Sequence, residues 1–185
     1  MEGWLLIYRV PKEPSTARVT IWRRTKQLGA LYLQQSVCFL PDREGNRQAL
    51  DAVAGEVRSF GGEAHVLHVV SEGEEARRLT RRVQEERAAE YAEFHEQVGV
   101  LRAELDKETR AGKFTFAELE DMESALERLR AWLGRVEARD VENSEGYRDA
   151  ARALAGVTEE VGAFAGQVYQ REAGALRGQG GEDEA

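Results

Sequence analysis

Apolar and polar positions follow two different rhythms along this chain, and the change comes at Val70. Before it the apolar runs are short and broken by Gly and Pro. Trp4-Leu5-Leu6-Ile7-Tyr8 is nearly continuous apolar sequence, the pattern of a central strand covered on both faces. A helix is expected to open at Pro14-Ser15, where a Ser hydroxyl can accept from unpaired first-turn amides. Ala17, Ile21, Thr25 and Leu28 fall on one apolar face, and Gly29 closes the helix with a left-handed cap. Leu31 to Gln34 and Val37 to Leu40 read as short strands around a Gln35-Ser36 turn. Asp42 is the expected cap of a second helix that runs to about Phe60, with Ala49, Val53, Val57 and Phe60 as its buried stripe. Gly61-Gly62 turns the chain into a last strand, Ala64 to Val70.

After Val70 the apolar residues step by three and four, and no proline follows Pro41 to interrupt a helix. Tyr91, Phe94, Val98, Leu101 and Leu105 make one seam, and Leu119, Met122, Leu126, Leu129, Leu133 and Val136 a second. Tyr147, Ala150, Leu154, Val157, Val161, Phe164 and Val168 make a third. Ser71-Glu72-Gly73-Glu74 and Thr115-Phe116-Ala117-Glu118 match the capping box, and Ser144 is a plausible third cap. Short joins at Ala111-Gly112-Lys113 and Glu142-Asn143 suit antiparallel neighbours. The expected fold class is α+β. Residues 1–70 form a ferredoxin-like βαββαβ domain, 71–177 a three-helix antiparallel bundle, and 178–185 a disordered acidic tail.

Charge changes this picture by localising it. The formal charge of −8 argues against a chain that coats nucleic acid along its whole length. Residues 1–70 nevertheless carry nine Lys or Arg against seven Asp or Glu, while residues 71–185 hold seventeen against twenty-seven. Arg9 to Lys26 contains six basic residues and one acid, Glu13. Either a solvated helix face or a binding face explains that run. The single Cys38 excludes an intramolecular disulfide and reads as a small core hydrophobe. No apolar run approaches the roughly 20 residues that span a bilayer, and no signal peptide precedes Trp4, so a cytoplasmic protein is expected.

Chemistry-bearing motifs are sparse. His65 and His68 are three apart on a strand and point to opposite faces, His95 is isolated, and no metal site or cofactor is expected. No Ser-His-Asp arrangement or phosphate loop is present, and the chain does not read as an enzyme. The opening of the long helix is different, because its seam turns polar at Arg82, Glu86 and Glu90, flanked by Arg87, Tyr91 and Glu93. Trp132, Arg135, Arg139 and Asp140 could face it from the end of the second bundle helix. One reading is a chain of exposed ion pairs, each worth about 0.3–0.5 kcal/mol. The other is a polar pocket between sheet and bundle whose arginines hold an oxyanion bidentately.

Three stretches carry a resemblance: WLLIYRV, TARVTIWRRTKQLGALYLQQSVCFLP and GKFTFAELEDMESALERLRAWLGRVEARD. From Trp4 to about Asp140 the chain resembles the N-terminal domain of the chromate resistance protein ChrB. The helix-to-hairpin segment is also faintly similar to the C-terminal domain of the PaaX repressors and to CRISPR-associated nucleases of the same fold. Tyr8-Arg9-Val10 stands where such a nuclease carries its metal-binding Asp, and the chain ends where ChrB's C-terminal domain would begin. The resemblance implies a chromate-responsive regulator of a chromate-resistance operon. On that reading Arg18, Arg23, Arg24 and Lys26 contact phosphates of operator DNA. Arg82, Glu86, Arg87, Glu90, Tyr91, Trp132, Arg139 and Asp140 line the pocket for chromate or a similar oxyanion, and a homodimer doubles the basic patch. The alternative is an oxyanion-binding accessory protein without DNA affinity. A redox enzyme acting on chromate is the third reading, set against the lone Cys38.

Overall fold

The computed structural model describes residues 1–13, 15–140 and 145–179. The chain forms two compact units, Met1–Arg87 and Ala88–Ala185. In the first, β1 (Glu2–Arg9), α1 (Ser15–Gln27), β2 (Leu31–Gln34), β3 (Val37–Pro41), α2 (Asn46–Ser59) and β4 (Glu63–Val70) follow in the expected order. The opening turns of α3 (Gly73–Ala111) complete it. The strands make one antiparallel sheet in the order β2-β3-β1-β4, with Leu6 opposite Cys38 on one side and Val66 on the other. This is the ferredoxin-like arrangement expected from the sequence. Leu6, Ile21, Cys38, Leu40, Leu50, Val53, Val57 and Ala64 form the buried core between the sheet and its helices.

Local chemistry accounts for the element ends. Ala17, Ile21 and Thr25 are the buried face of α1, as their spacing predicts. Gly29 has φ 71, its amide donates to Lys26 O and that of Ala30 to Thr25 O, so two of the helix's last carbonyls are satisfied. Three expectations need correction. β1 lies centrally but is not covered on both faces: Ile7 is 37% exposed, on the side of the sheet opposite Leu6. Asp42 does not cap α2, because its carboxylate accepts from the Trp4 indole at 2.7 Å. The helix begins four residues later at Asn46, and its buried stripe is Leu50, Val53, Ala54 and Val57, with Ala49 and Phe60 only half-buried. Ser71 continues the sheet, its amide donating to Met1 O, and Ala76 N reaches back to Glu72 O, so the first expected capping box is not made.

In the second unit the rest of α3 joins α4 (Phe116–Glu137) and α5 (Glu145–Gln179). The three seams meet: Phe94, Val98, Met122, Val136, Val157, Val161 and Val168 are all buried in one cluster. The Thr115 hydroxyl accepts from Glu118 N at 3.3 Å, so this capping box is made on the Thr side. Early α3 meets late α4, with Phe94 edge-on to Trp132, while Arg102 pairs with Glu160 of α5 at 2.9 Å. The helices thus run up, down and up. Ser144, Glu142-Asn143 and residues 180–185 of the expected tail lie outside the described residues, and α5 continues through Gly178 and Gln179. No helix among the described residues is long and apolar enough to cross a membrane.

Candidate nucleic-acid and anion interface

The buried stripe of α1 sets where its cations point. Arg23 lies opposite Ile21 and is exposed, together with Val19 at 45% and Trp22 at 52% exposure. Arg18 is exposed and donates to Lys12 O at 3.0 Å. The other two of the four are engaged more closely. Arg24 leans across to Glu56 of α2 at 3.5 Å, and Lys26 pairs with Glu86 of α3 at 3.2 Å. Arg18, Trp22 and Lys26 therefore form one row at steps of four with Arg23 beside it, while Arg24 stands on the margin toward α2. Exposed pairs of this kind are worth at most about 1 kcal/mol, so Arg24 and Lys26 can exchange a carboxylate for a phosphate at little cost.

The eight residues expected to line one oxyanion pocket divide between the two units. In the first, Arg82 donates to Tyr32 O at 2.8 Å and Arg87, itself buried, to Gly29 O at 3.4 Å. Together with the Lys26–Glu86 pair they fasten the opening turns of α3 to the turn between α1 and β2. Gly29 lies just past the end of α1, so Arg87 sets its positive charge beside that helix's C-terminus. In the second unit Arg139 pairs with Glu90 at 3.2 Å, their side chains 15% and 25% exposed. Tyr91 donates to Asp140 Oδ2 at 2.7 Å, and Trp132 packs edge-on to Phe94 at 5.8 Å. Glu90, Tyr91, Arg139 and Asp140 form a polar corner just past the end of α4. Trp132 also lines a groove of about 550 Å³ along α3 and α4, with Glu93, Leu101, Met122 and Leu129.

Two polar features escape a reading of the sequence. The Tyr32 hydroxyl joins Tyr8 OH at 2.9 Å and Thr25 Oγ1 at 2.6 Å inside the first unit. Burial, ahead of the bond to Tyr32, pushes the Tyr8 phenol above its ordinary value. Burial likewise pushes the Cys38 thiol up to about 12, which makes it a poor nucleophile. The second feature is Glu108, 1% exposed, with Lys107 at 3.0 Å and Lys113 at 3.5 Å. Its position was visible in principle: Phe94, Val98, Leu101, Leu105 and Glu108 continue one seam by steps of four and three. The hydrogen bond from Lys107 lowers the Glu108 carboxyl, against the opposing effect of its burial. Carboxylate oxygens of Glu104, Glu108 and Glu118 lie within 4.8 Å of one another, as do donor atoms of Glu2, Asp42 and His68. Lysines neutralise Glu108 in the first group, and Asp42 accepts from Trp4 in the second.

All these residues from Arg18 onward fall within residues 18–175, which match the family model described as "Protein ChrB, N-terminal". The chain belongs to the ChrB N-terminal family. The match begins inside α1 and runs well into α5, beyond the Trp4 to Asp140 span of the resemblance. Protein ChrB of Cupriavidus metallidurans (strain ATCC 43123 / DSM 2839 / NBRC 102507 / CH34) is 31% identical over 110 residues, 59% of this chain. The aligned part covers only 34% of that relative, so the likeness spans about a third of its length. No solved structure matches the chain.

Proposed function

We propose that this ChrB-family protein acts in the cytoplasm as a chromate-responsive transcriptional regulator of chromate resistance, a binding protein and not an enzyme. One observation carries the DNA-binding half of the reading. The face of α1 that does not pack on the sheet presents Arg18, Arg23 and the half-exposed Trp22, in the part of the chain that is net positive. An exposed tryptophan between arginines suits a phosphate backbone flanked by a stacking or apolar surface. A homodimer would present two such helices and multiply the phosphate contacts. The oxyanion half rests on family membership and on the arginines that already hold carboxylates and carbonyls, Arg139 on Glu90 and Arg82 on Tyr32 O. A dianion such as chromate competes for the same donors.

The second reading is an oxyanion-binding accessory protein. It is favoured by the engagement of Arg24 and Lys26 with Glu56 and Glu86, which leaves a small outward patch. A salt titration of binding to the operon's upstream DNA separates the two. Arg18→Ala with Arg23→Ala should weaken binding and flatten the slope of log K against log salt by about one unit per lost contact, with the thermal transition unchanged. Equal affinity and slope in the double variant would sink the DNA-binding reading. Stabilisation by chromate that survives in that variant would then support the accessory role.

A further inference from the structure

Strand β4 is the edge of the sheet, paired with β1 alone among the described residues. It is eight residues long, continuous in register, and contains no Lys, Arg or Pro. Its one charged residue, Glu63, stands at the first position and pairs with Arg9 of β1. Edges that remain solitary are usually short, bulged, or carry lysine or proline. Here the exposed positions include Leu67 at 47% and Val70 at 58%.

The hydrogen-bond pattern shows which residues of β4 face outward. Met1 and Ser71 exchange both backbone bonds, Met1 N to Ser71 O at 2.7 Å and Ser71 N to Met1 O at 2.9 Å. Alternation along an antiparallel ladder then assigns Val69, Leu67, His65 and Glu63 to bonds with β1. Val70, His68, Val66 and Ala64 turn their amides and carbonyls the other way. The Ala64 carbonyl already accepts from Arg58 Nη2 at 2.9 Å. Val66, His68 and Val70 remain as an open ladder of three.

We propose that β4 pairs antiparallel with β4 of a second copy of this chain about a two-fold axis at His68, so that two four-stranded sheets become one. Among two-fold registers, only this one uses all three open residues and spares Ala64: Val66 meets Val70 of the second copy, and His68 meets its own counterpart. On the other face the same register sets Leu67 against Val69 of the second copy. The two most exposed apolar side chains of the strand thus both gain apolar partners, as cross-strand pairs require. A slip by one residue would bring the inward, already bonded groups to the edge. The pairing needs neither DNA nor ligand, and so goes beyond the function proposed above.

Sedimentation of the wild type across a dilution series should show a monomer–dimer equilibrium, and Val70→Lys should shift it to monomer without loss of secondary structure. The register is read by cysteine cross-linking, with the buried Cys38 left in place. Across the axis the two His68 Cα atoms come about 5.5 Å apart, within reach of a disulfide. His68→Cys should therefore give a covalent dimer on oxidation. Val66→Cys and Val70→Cys should each stay unlinked alone, since like positions lie roughly 13 Å apart along the strands, but link when mixed. A wild type that stays monomeric at every concentration overturns the proposal. So does a dimer that leaves His68→Cys unlinked, or linking that is equal at all three positions.

Discussion

The sheet unit and the helical bundle obey the same burial physics but expose it differently. In the bundle every position of the α4 seam is buried, from Leu119 through Val136, and the α5 seam buries Ala150, Val157, Val161, Phe164 and Val168. A helix has one buried stripe, and its period is written in the local sequence. In the sheet unit the equally apolar run Trp4 to Tyr8 divides between two faces of unlike environment. Leu6 is fully buried and Ile7 is 37% exposed. A strand's two faces are covered by different, distant segments, so its own residues cannot say which face is closed.

The sharpest test of that contrast is a pair of truncations. Phe94→Ala, at a fully buried bundle position, should cost about 3–5 kcal/mol in urea unfolding. Ile7→Ala should cost about 1 kcal/mol or less, because half-exposed methylenes lose little on removal. Equal midpoint shifts would show that the second face of the sheet is covered in solution.

A smaller effect separates two matches to the capping box. Thr115→Ala removes a hydroxyl that caps α4 and should cost about 1 kcal/mol. Ser71→Ala should cost a few tenths of a kcal/mol or less, since Ser71 serves the sheet through its backbone. Both are measured as shifts in the urea midpoint, and equal costs would restore the capping box at Ser71.

The subtlest effect concerns Glu108, a carboxylate in a hydrophobic seam. Its folded pKa lies below the ordinary Glu value of about 4.3, so the unfolded chain takes up the proton first as pH falls. The stabilisation is therefore present above that value and is lost as pH drops through the lower, folded one. Between about pH 5 and 3, Glu108→Gln should lose less thermal stability than the wild type does. Parallel curves would mean that Lys107 and Lys113 do not hold the carboxylate in solution.

Near-neighbour rules made much of the molecule legible. The α1 face, the Gly29 cap and the three bundle seams depend on residues a few positions apart, whose geometry the backbone dictates. The same rules placed Arg18 and Arg23 off the apolar face of α1. They failed where a polar side chain had to choose among partners. Asp42 had a helix amide nearby in sequence and took the Trp4 indole, thirty-eight residues away. Glu86 takes Lys26 and Arg82 takes the Tyr32 carbonyl, partners sixty and fifty residues away that spacing alone does not name.

What the sequence by itself determined is the element order, the helix faces, the charge asymmetry and the family. Only the tertiary structure decided which polar groups meet, because a hydrogen bond is specified within tenths of an ångström while sequence patterns specify faces. It also decided which sheet edge stays open. Strand order brings Glu2 beside Val70, and no local signal in EAHVLHVV says that no other strand among the described residues pairs with its far side.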